Sequence, residues 1–297
     1  MPFIIGDITI TPYWNDHSAF DAYSFIIDAG DKRLFYSGDF RSNGRKSGAY
    51  RWLLHNPPKD IDYLILEGTS IGKKDSISED EVEHKMLDIF KGTENGCYVW
   101  TSSQNIDRLV SVYKACLKAQ KTLVLDIYTA NVLNILSDFA GLPSPLKGHN
   151  LKVLFTNRTT TKLYQSKRED LIFPFTNSKI TSEELSQSPG QYVMLVRPSM
   201  MAEIKKIGWK DGILVYSMWD GYKTKPYSAR FLDYFTQNGF DTIDVHASGH
   251  AGEQTLVEFV NALNPQNIIP IHTFHKNQYQ SLFTQNVIVL DDNEELI

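Results

Sequence analysis

The chain has 297 residues, 42% of them hydrophobic and 12% aromatic, a composition that excludes a disordered or low-complexity protein. A formal charge of −5 and a pI near 5.9 exclude a whole-molecule positive field, so any polyanion substrate needs a local cleft. The two cysteines, Cys97 and Cys116, lie in apolar runs that suit core thiols in a reducing compartment. With no basic leader, and no apolar stretch of bilayer length, a cytoplasmic location is the expectation.

Residues 7–40 read as an antiparallel meander. Ile8 and Ile10 alternate with polar residues, then Phe25-Ile26-Ile27 and Leu34-Phe35-Tyr36 follow, separated by Asp28-Ala29-Gly30-Asp31. From residue 60 the rhythm changes. Short apolar runs at 63–66, 98–100, 123–125, 153–155, 193–195 and 213–215 are separated by helical patterns, which argues for parallel sheet. Ser78 with Glu81 gives a capping-box pattern before Val82, Met86, Leu87 and Phe90, while Ile106, Leu109, Val110, Tyr113 and Leu117 form one apolar stripe. A final unit runs from Ile243-Asp244-Val245-His246 through a glycine-containing loop, a helix over 255–263, the strand Ile268-Ile269-Pro270-Ile271 and a short strand over 287–290.

His17, Asp39, His250 and His272 stand where strands are expected to end, the place where a rigid scaffold presents reactive side chains. Imidazole nitrogen and carboxylate oxygen are the ligand types of hydrolytic zinc or manganese sites, and two histidines with one aspartate suffice for one open site. Taken singly, a histidine at a strand end more often satisfies a backbone hydrogen bond, and Gly-Asp-Phe alone suits a simple turn.

The run Asp-His-Ser-Ala-Phe-Asp-Ala at 16–22, followed by an apolar strand and Leu-Phe-Tyr-Ser-Gly-Asp-Phe-Arg at 34–41, resembles the third and fourth ligand motifs of metallo-β-lactamase-fold hydrolases. Leu-Glu-Gly-Thr at 66–69 is similar to the acidic motif of the β-CASP branch, which includes ribonuclease J. Val-Trp-Thr-Ser-Ser-Gln-Asn-Ile-Asp-Arg resembles the entry to the inserted β-CASP domain, and Ser-Gly-His-Ala with Pro-Ile-His resembles the two later histidine motifs.

The resemblance spans nearly the whole chain and is most specific around His17 to Asp39 and His246 to His272. It implies His17 as a ligand to one metal, Asp39 as the carboxylate bridging two, and His272 as a ligand to the second. His250 becomes the general acid or phosphate contact, with Glu67 hydrogen-bonded to it; outside the family, Glu67 suits a salt bridge or a helix N-cap. His246 reads as structural.

The family's His-x-His-x-Asp-His signature is absent, and the isolated His55, His84, His149 and His275 do not replace it. The expectation is therefore zinc or manganese at reduced occupancy and little hydrolysis from this chain alone. Fewer strands in one of two face-to-face sheets should also expose apolar surface, for which a homodimer or a companion N-terminal fragment is the remedy.

On the substrate side, Ser102, Ser103 and Asn105 lead into a helix and suit phosphate binding or an ordinary N-cap. The aromatics of 216–222 suit base stacking or core packing. Lys152, Arg158, Lys162, Lys167 and Arg168 suit a polyanion path or a solvated face.

The resulting expectation is α/β: an incomplete metallo-β-lactamase αββα sandwich at 1–94 and 236–297 with an inserted doubly wound β-CASP domain at 95–235. The implied function is metal-dependent phosphodiester hydrolysis of RNA, impaired here. The alternatives are a non-catalytic remnant that binds nucleic acid or a partner, and a hydrolase of another ester on the same fold.

Overall fold

Strand pairing begins with the period-two segments near the start of the chain. In the computed structural model, which describes residues 1–73, 76–148, 150–291 and 293–296, β1 (Phe3–Ile5), β2 (Ile8–Trp14), β3 (Tyr23–Ala29) and β4 (Lys32–Tyr36) pair antiparallel in sequence order. Helix α1 (Ser47–His55) then leads to β5 (Tyr63–Glu67), which pairs parallel to β4. His149 lies outside the described residues.

The chain divides into two units, one formed by Met1–Ser78 together with Ser248–Ile297, the other by Glu79–Ala247. The second unit holds helices α2 (Glu79–Gly92), α3 (Ile106–Lys118), α4 (Ile127–Leu136), α5 (Asn157–Gln165), α6 (Ser182–Gln187), α7 (Met201–Ile207) and α8 (Pro226–Gln237). Its strands are β6 (Cys97–Trp100), β7 (Thr122–Asp126), β8 (Leu151–Leu154), β9 (Lys179–Ile180), β10 (Tyr192–Val196), β11 (Ile213–Tyr216) and β12 (Asp241–Asp244). They form a parallel sheet in the order β12-β11-β6-β10-β7-β8-β9.

The continuous apolar runs of this sheet reflect burial on both faces. On one face Tyr98, Trp100, Met194, Val196, Leu214 and Tyr216 pack with Ile204 and Ile207 of α7 and Phe231 and Phe235 of α8. The alternate positions Cys97, Val99, Leu123, Leu125 and Val193 are buried as well. Both cysteines are buried free thiols.

The first unit resumes with α9 (Glu253–Leu263), β13 (Asn267–Ile271) and β14 (Asn286–Val287). Its mixed sheet has the order β1-β2-β3-β4-β5-β13-β14. One face supplies Ile26, Phe35, Leu64, Leu66 and Ile268 to a core with Tyr50 and Leu53 of α1 and Leu256, Phe259 and Val260 of α9. The register sets Ile10, Ile27, Leu34 and Tyr63 side by side on the opposite face, beside Pro12, Phe25, Tyr36 and Ile65. These are apolar or aromatic positions, yet all are half-buried or exposed, and β1 at the edge is exposed along its length.

The loops following β2 and β4 are joined by a buried ion pair. Arg41 Nε lies 3.6 Å from Asp16 Oδ1, with both side chains fully buried. Asp16 Oδ2 accepts from the Gly44 amide at 2.9 Å, and Arg41 Nη1 donates to Ser248 O at 3.0 Å. A Cβ at Gly44 would fall against Asp16 Oδ1 and 2.5 Å from Arg41 Nε. Gly44→Ala is therefore expected to cost about 3–5 kcal/mol, the scale of breaking a buried ion pair. Urea unfolding should show a lower midpoint with an unchanged native circular dichroism spectrum; an unmoved midpoint would count against this pair as a structural anchor.

Candidate metal centre

Parallel neighbours present their carboxyl ends on one edge, and β4, β5 and β13 are adjacent. Asp39 lies three residues beyond Tyr36, the end of β4, Glu67 closes β5, and His272 directly follows β13, whose Ile271 is in register with Glu67. His17 comes from the loop between β2 and β3 and His250 from the loop before α9. Gly38, with φ +57°, turns the chain into Asp39, and a Cβ there would come within 2.7 Å of Tyr23 O, so a residue without a side chain is required. His272 takes a left-handed φ of 47°, a strained choice for a side-chain-bearing residue that clusters at functional sites.

Donor atoms of Asp39, Glu67, His250 and His272 lie within 4.8 Å of one another, an arrangement able to hold a metal ion. His17 stands beside them, its ring centroid 5.7 Å from that of His250, which is 5.3 Å from that of His272. The structure thus gathers all five of these sequence-picked residues at one edge of one unit.

Hydrogen bonds define each ring's tautomer. His17 Nδ1 lies 2.6 Å from Gly249 O; a carbonyl only accepts, so Nδ1 carries the hydrogen and Nε2 keeps its lone pair. His250 Nδ1 donates to the Glu67 carboxylate, at 3.1 Å from Oε2 and 3.3 Å from Oε1. His272 Nδ1 lies 2.9 Å from Asp39 Oδ1 and 3.2 Å from Thr69 Oγ1, whose own hydrogen goes to His272 O at 2.9 Å. Each ring is held through Nδ1, which is how ligating or proton-donating histidines are oriented.

Glu67 has little capacity left for a metal. It is fully buried, and its oxygens accept from Phe40 N at 3.1 Å and Thr69 N at 3.2 Å as well as from His250. It serves neither as an N-cap nor in an ion pair with Lys or Arg among the described residues; His250 is its charged partner.

Burial opposes charge on both half-buried rings, but with opposite net results. For His17, burial lowers the pKa and the bond to Gly249 only partly counters it. For His250, burial also lowers the pKa, but the hydrogen bond and charge of Glu67, with Asp39, outweigh it and leave the pKa raised.

Supporting residues carried no signal in the sequence pattern. Lys46 Nζ donates to His17 O at 2.6 Å and Ala19 O at 2.8 Å, fixing the His17 loop. Thr69 orients His272, a role visible only once β5 and β13 are neighbours.

In the second unit, Asn105 caps α3 by accepting from Arg108 N at 3.0 Å. Ser103 Oγ accepts from Thr129 Oγ1 at 2.7 Å and from Arg197 Nη1 at 2.9 Å, while Ser102 Oγ accepts from Gln104 N at 3.2 Å. His246 lies 3.4 Å from Arg108, a buried residue paired with Glu79 at 2.9 Å and bonded to Ser217. Burial first, then the Arg108 charge, push the His246 pKa down to about 4.

Comparison with known proteins adds two findings. Residues 241–281 match the family model described as "Zn-dependent metallo-hydrolase RNA specificity domain". A solved structure described as a protein of unknown function from Enterococcus faecalis V583 superimposes with a TM-score of 0.78 at 18% identity, covering 99% of this chain and 65% of that one. At that identity the likeness establishes the fold alone, and the chain spans less than two thirds of that relative's length. Among curated proteins, none matches. No helix among the described residues is long and apolar enough to cross a membrane.

Two outcomes follow from the titrating histidines. Glu67→Gln removes the charge that holds the His250 proton, so the His250 titration point, followed by NMR of its ring protons, should move down; an unchanged point would mean that Glu67 does not set it. His246 is held neutral in the fold and charges on unfolding, so its contribution is complete above pH 6.5 and is lost as pH falls toward about 4. At about 1.4 kcal/mol per unit, this single group accounts for up to about 3 kcal/mol. Thermal melts should show a smaller loss of stability over that window for His246→Gln than for the parent; parallel pH profiles would contradict this.

Proposed function

We propose that this chain carries part of the active centre of a zinc-dependent hydrolase of RNA phosphodiester bonds. The observation that carries the reading is the set of three histidines tied through Nδ1 around Asp39. The match of residues 241–281 to a zinc-dependent metallo-hydrolase RNA specificity domain supports the metal class and the substrate class.

The donor chemistry fits zinc, which takes imidazole nitrogen and carboxylate oxygen and in catalytic sites keeps a position open. His17 and His272 through Nε2, and Asp39 through a carboxylate oxygen, would hold the ion. When bound, zinc acts as a Lewis acid on a phosphoryl oxygen. Manganese would use the same donors.

This chain's own contribution to bond cleavage lies in His250. Glu67 accepts at Nδ1 and stabilises the protonated ring, so the Nε2 hydrogen is available to the departing alkoxide oxygen. The buried bonds from Phe40 N and Thr69 N keep Glu67 in place for that role.

Three ligands support one weakly held ion, and the sequence has no His-x-His-x-Asp-His, so full activity requires further donors. The uncovered apolar face of the first-unit sheet suits a layer supplied by a second copy or a companion segment. In the same reading, the second unit is the β-CASP-like insert that holds RNA, with Ser102, Ser103 and Asn105 at its entry. The shortage of ligands also favours the rival reading, a chain that binds RNA without cleaving it.

Elemental analysis after dialysis distinguishes the two. The parent chain should retain zinc at one equivalent or less, and Asp39→Ala and His272→Ala should lose it while keeping their circular dichroism spectra. Equal zinc in parent and variants would overturn the metal assignment. A metal-free parent that still binds a short oligoribonucleotide would establish the non-catalytic reading.

A further inference from the structure

The carboxyl ends of β10, β7 and β8, adjacent in the second-unit sheet, border a cavity of about 360 Å³ lined by Tyr128, Arg158, Thr159, Lys162, Arg197 and Ser199. Crevices outside the carboxyl ends of parallel strands are where α/β sheets receive ligands, and this volume lies in the ligand-binding range.

The lining concentrates positive charge in a chain whose net charge is −5. Arg158 and Lys162 stand four residues apart on α5, where like charges repel, and neither forms an ion pair among the described residues. Arg197 is fixed in place: it pairs with Asp126, donates to Ser103 Oγ at 2.9 Å, and lies 5.1 Å over the Tyr128 ring. Among the described residues no acid lines the cavity; Asp126 is taken by Arg197, and Glu203 Oε1 accepts from Asn157 N at 2.8 Å.

The remaining lining groups suit the same ligand. Arg158 and Thr159 belong to the first turn of α5, whose leading amide, Asn157 N, is already bonded to Glu203, so the cavity's positive charge comes from its side chains and not from the helix end. Thr159 and Ser199 bring hydroxyl donors, and the Tyr128 ring, 40% exposed, offers a surface on which a base stacks.

We propose that this cavity binds a phosphate group carried by a nucleotide, with Arg158 and Lys162 as its charge partners and Tyr128 as the platform for the base. The identification of that phosphate as part of an RNA strand rests on the functional reading above; the anion chemistry of the cavity does not.

The test titrates the full chain with inorganic phosphate, uridine 5′-monophosphate and a short oligouridylate by calorimetry. The parent should bind the mononucleotide and the oligonucleotide, and Arg158→Ala/Lys162→Ala should weaken both about tenfold or more. For the oligonucleotide, the salt slope of the double variant should be shallower by about 1.4, two phosphate contacts on a single strand.

Because both side chains are exposed on α5, the variant should fold, and Arg158→Gln/Lys162→Gln provides a second version. Mononucleotide binding to the metal-free chain, prepared by dialysis against a chelator, should match that of the untreated parent, which separates failure of the metal reading from failure of this one. Mononucleotide binding that depends on the two cations, with oligonucleotide binding that does not, supports the pocket and makes a free nucleotide its ligand. Equal affinities in parent and double variant, or no binding of any probe by the folded parent, would overturn the proposal.

Discussion

The buried carboxylate of Glu67 is the constraint on which the candidate centre depends. Fully buried and closing a central strand, it is satisfied by two backbone amides and one imidazole. Those partners belong to the loop after β4, the loop after β5 and the loop before α9. Removing a carboxylate's partners inside a protein costs several kcal/mol, so one side chain couples the positions of Asp39, Thr69 and His250. The same bonds leave Glu67 little freedom to ligate a metal and commit it to orienting His250.

The antiparallel start and the parallel remainder were legible because period-two alternation and continuous apolar runs report one-sided and two-sided burial respectively. Phe25-Ile26-Ile27 and Leu34-Phe35-Tyr36 appear as β3 and β4, and the run at 98–100 as the buried strand β6. The same signal, read more closely, shows that Ile10, Ile27 and Leu34 alternate with residues already facing the core. Their apolar character marks a second face rather than surplus hydrophobicity.

Less was legible at the site. The motifs and strand ends mark His17, Asp39, Glu67, His250 and His272, but the histidine tautomers depend on partners such as Gly249 O, Asp39 Oδ1 and Thr69 Oγ1, whose placement sequence spacing does not encode. The cavity of the second unit was further from view. Arg158 and Lys162 stood out as basic residues, yet their relation to Arg197 and Tyr128 follows only from the order β10-β7-β8, in which a late strand inserts beside an early one.

That the second unit is inserted between β5 and β13 bears on how the molecule assembles. Asp62 and Gln266 are hydrogen-bonded across 204 residues of chain, and pairing ends so distant in an unfolded chain carries an entropic cost that grows with the logarithm of loop length. Where the insert folds first, the free loop shortens to a structured body whose chain ends leave near one another: Ser76 Oγ accepts from Ser248 N at 2.6 Å. In that order of events the histidines of the later segment meet Glu67 and Asp39 last, and the candidate centre is the final part of the first unit to close.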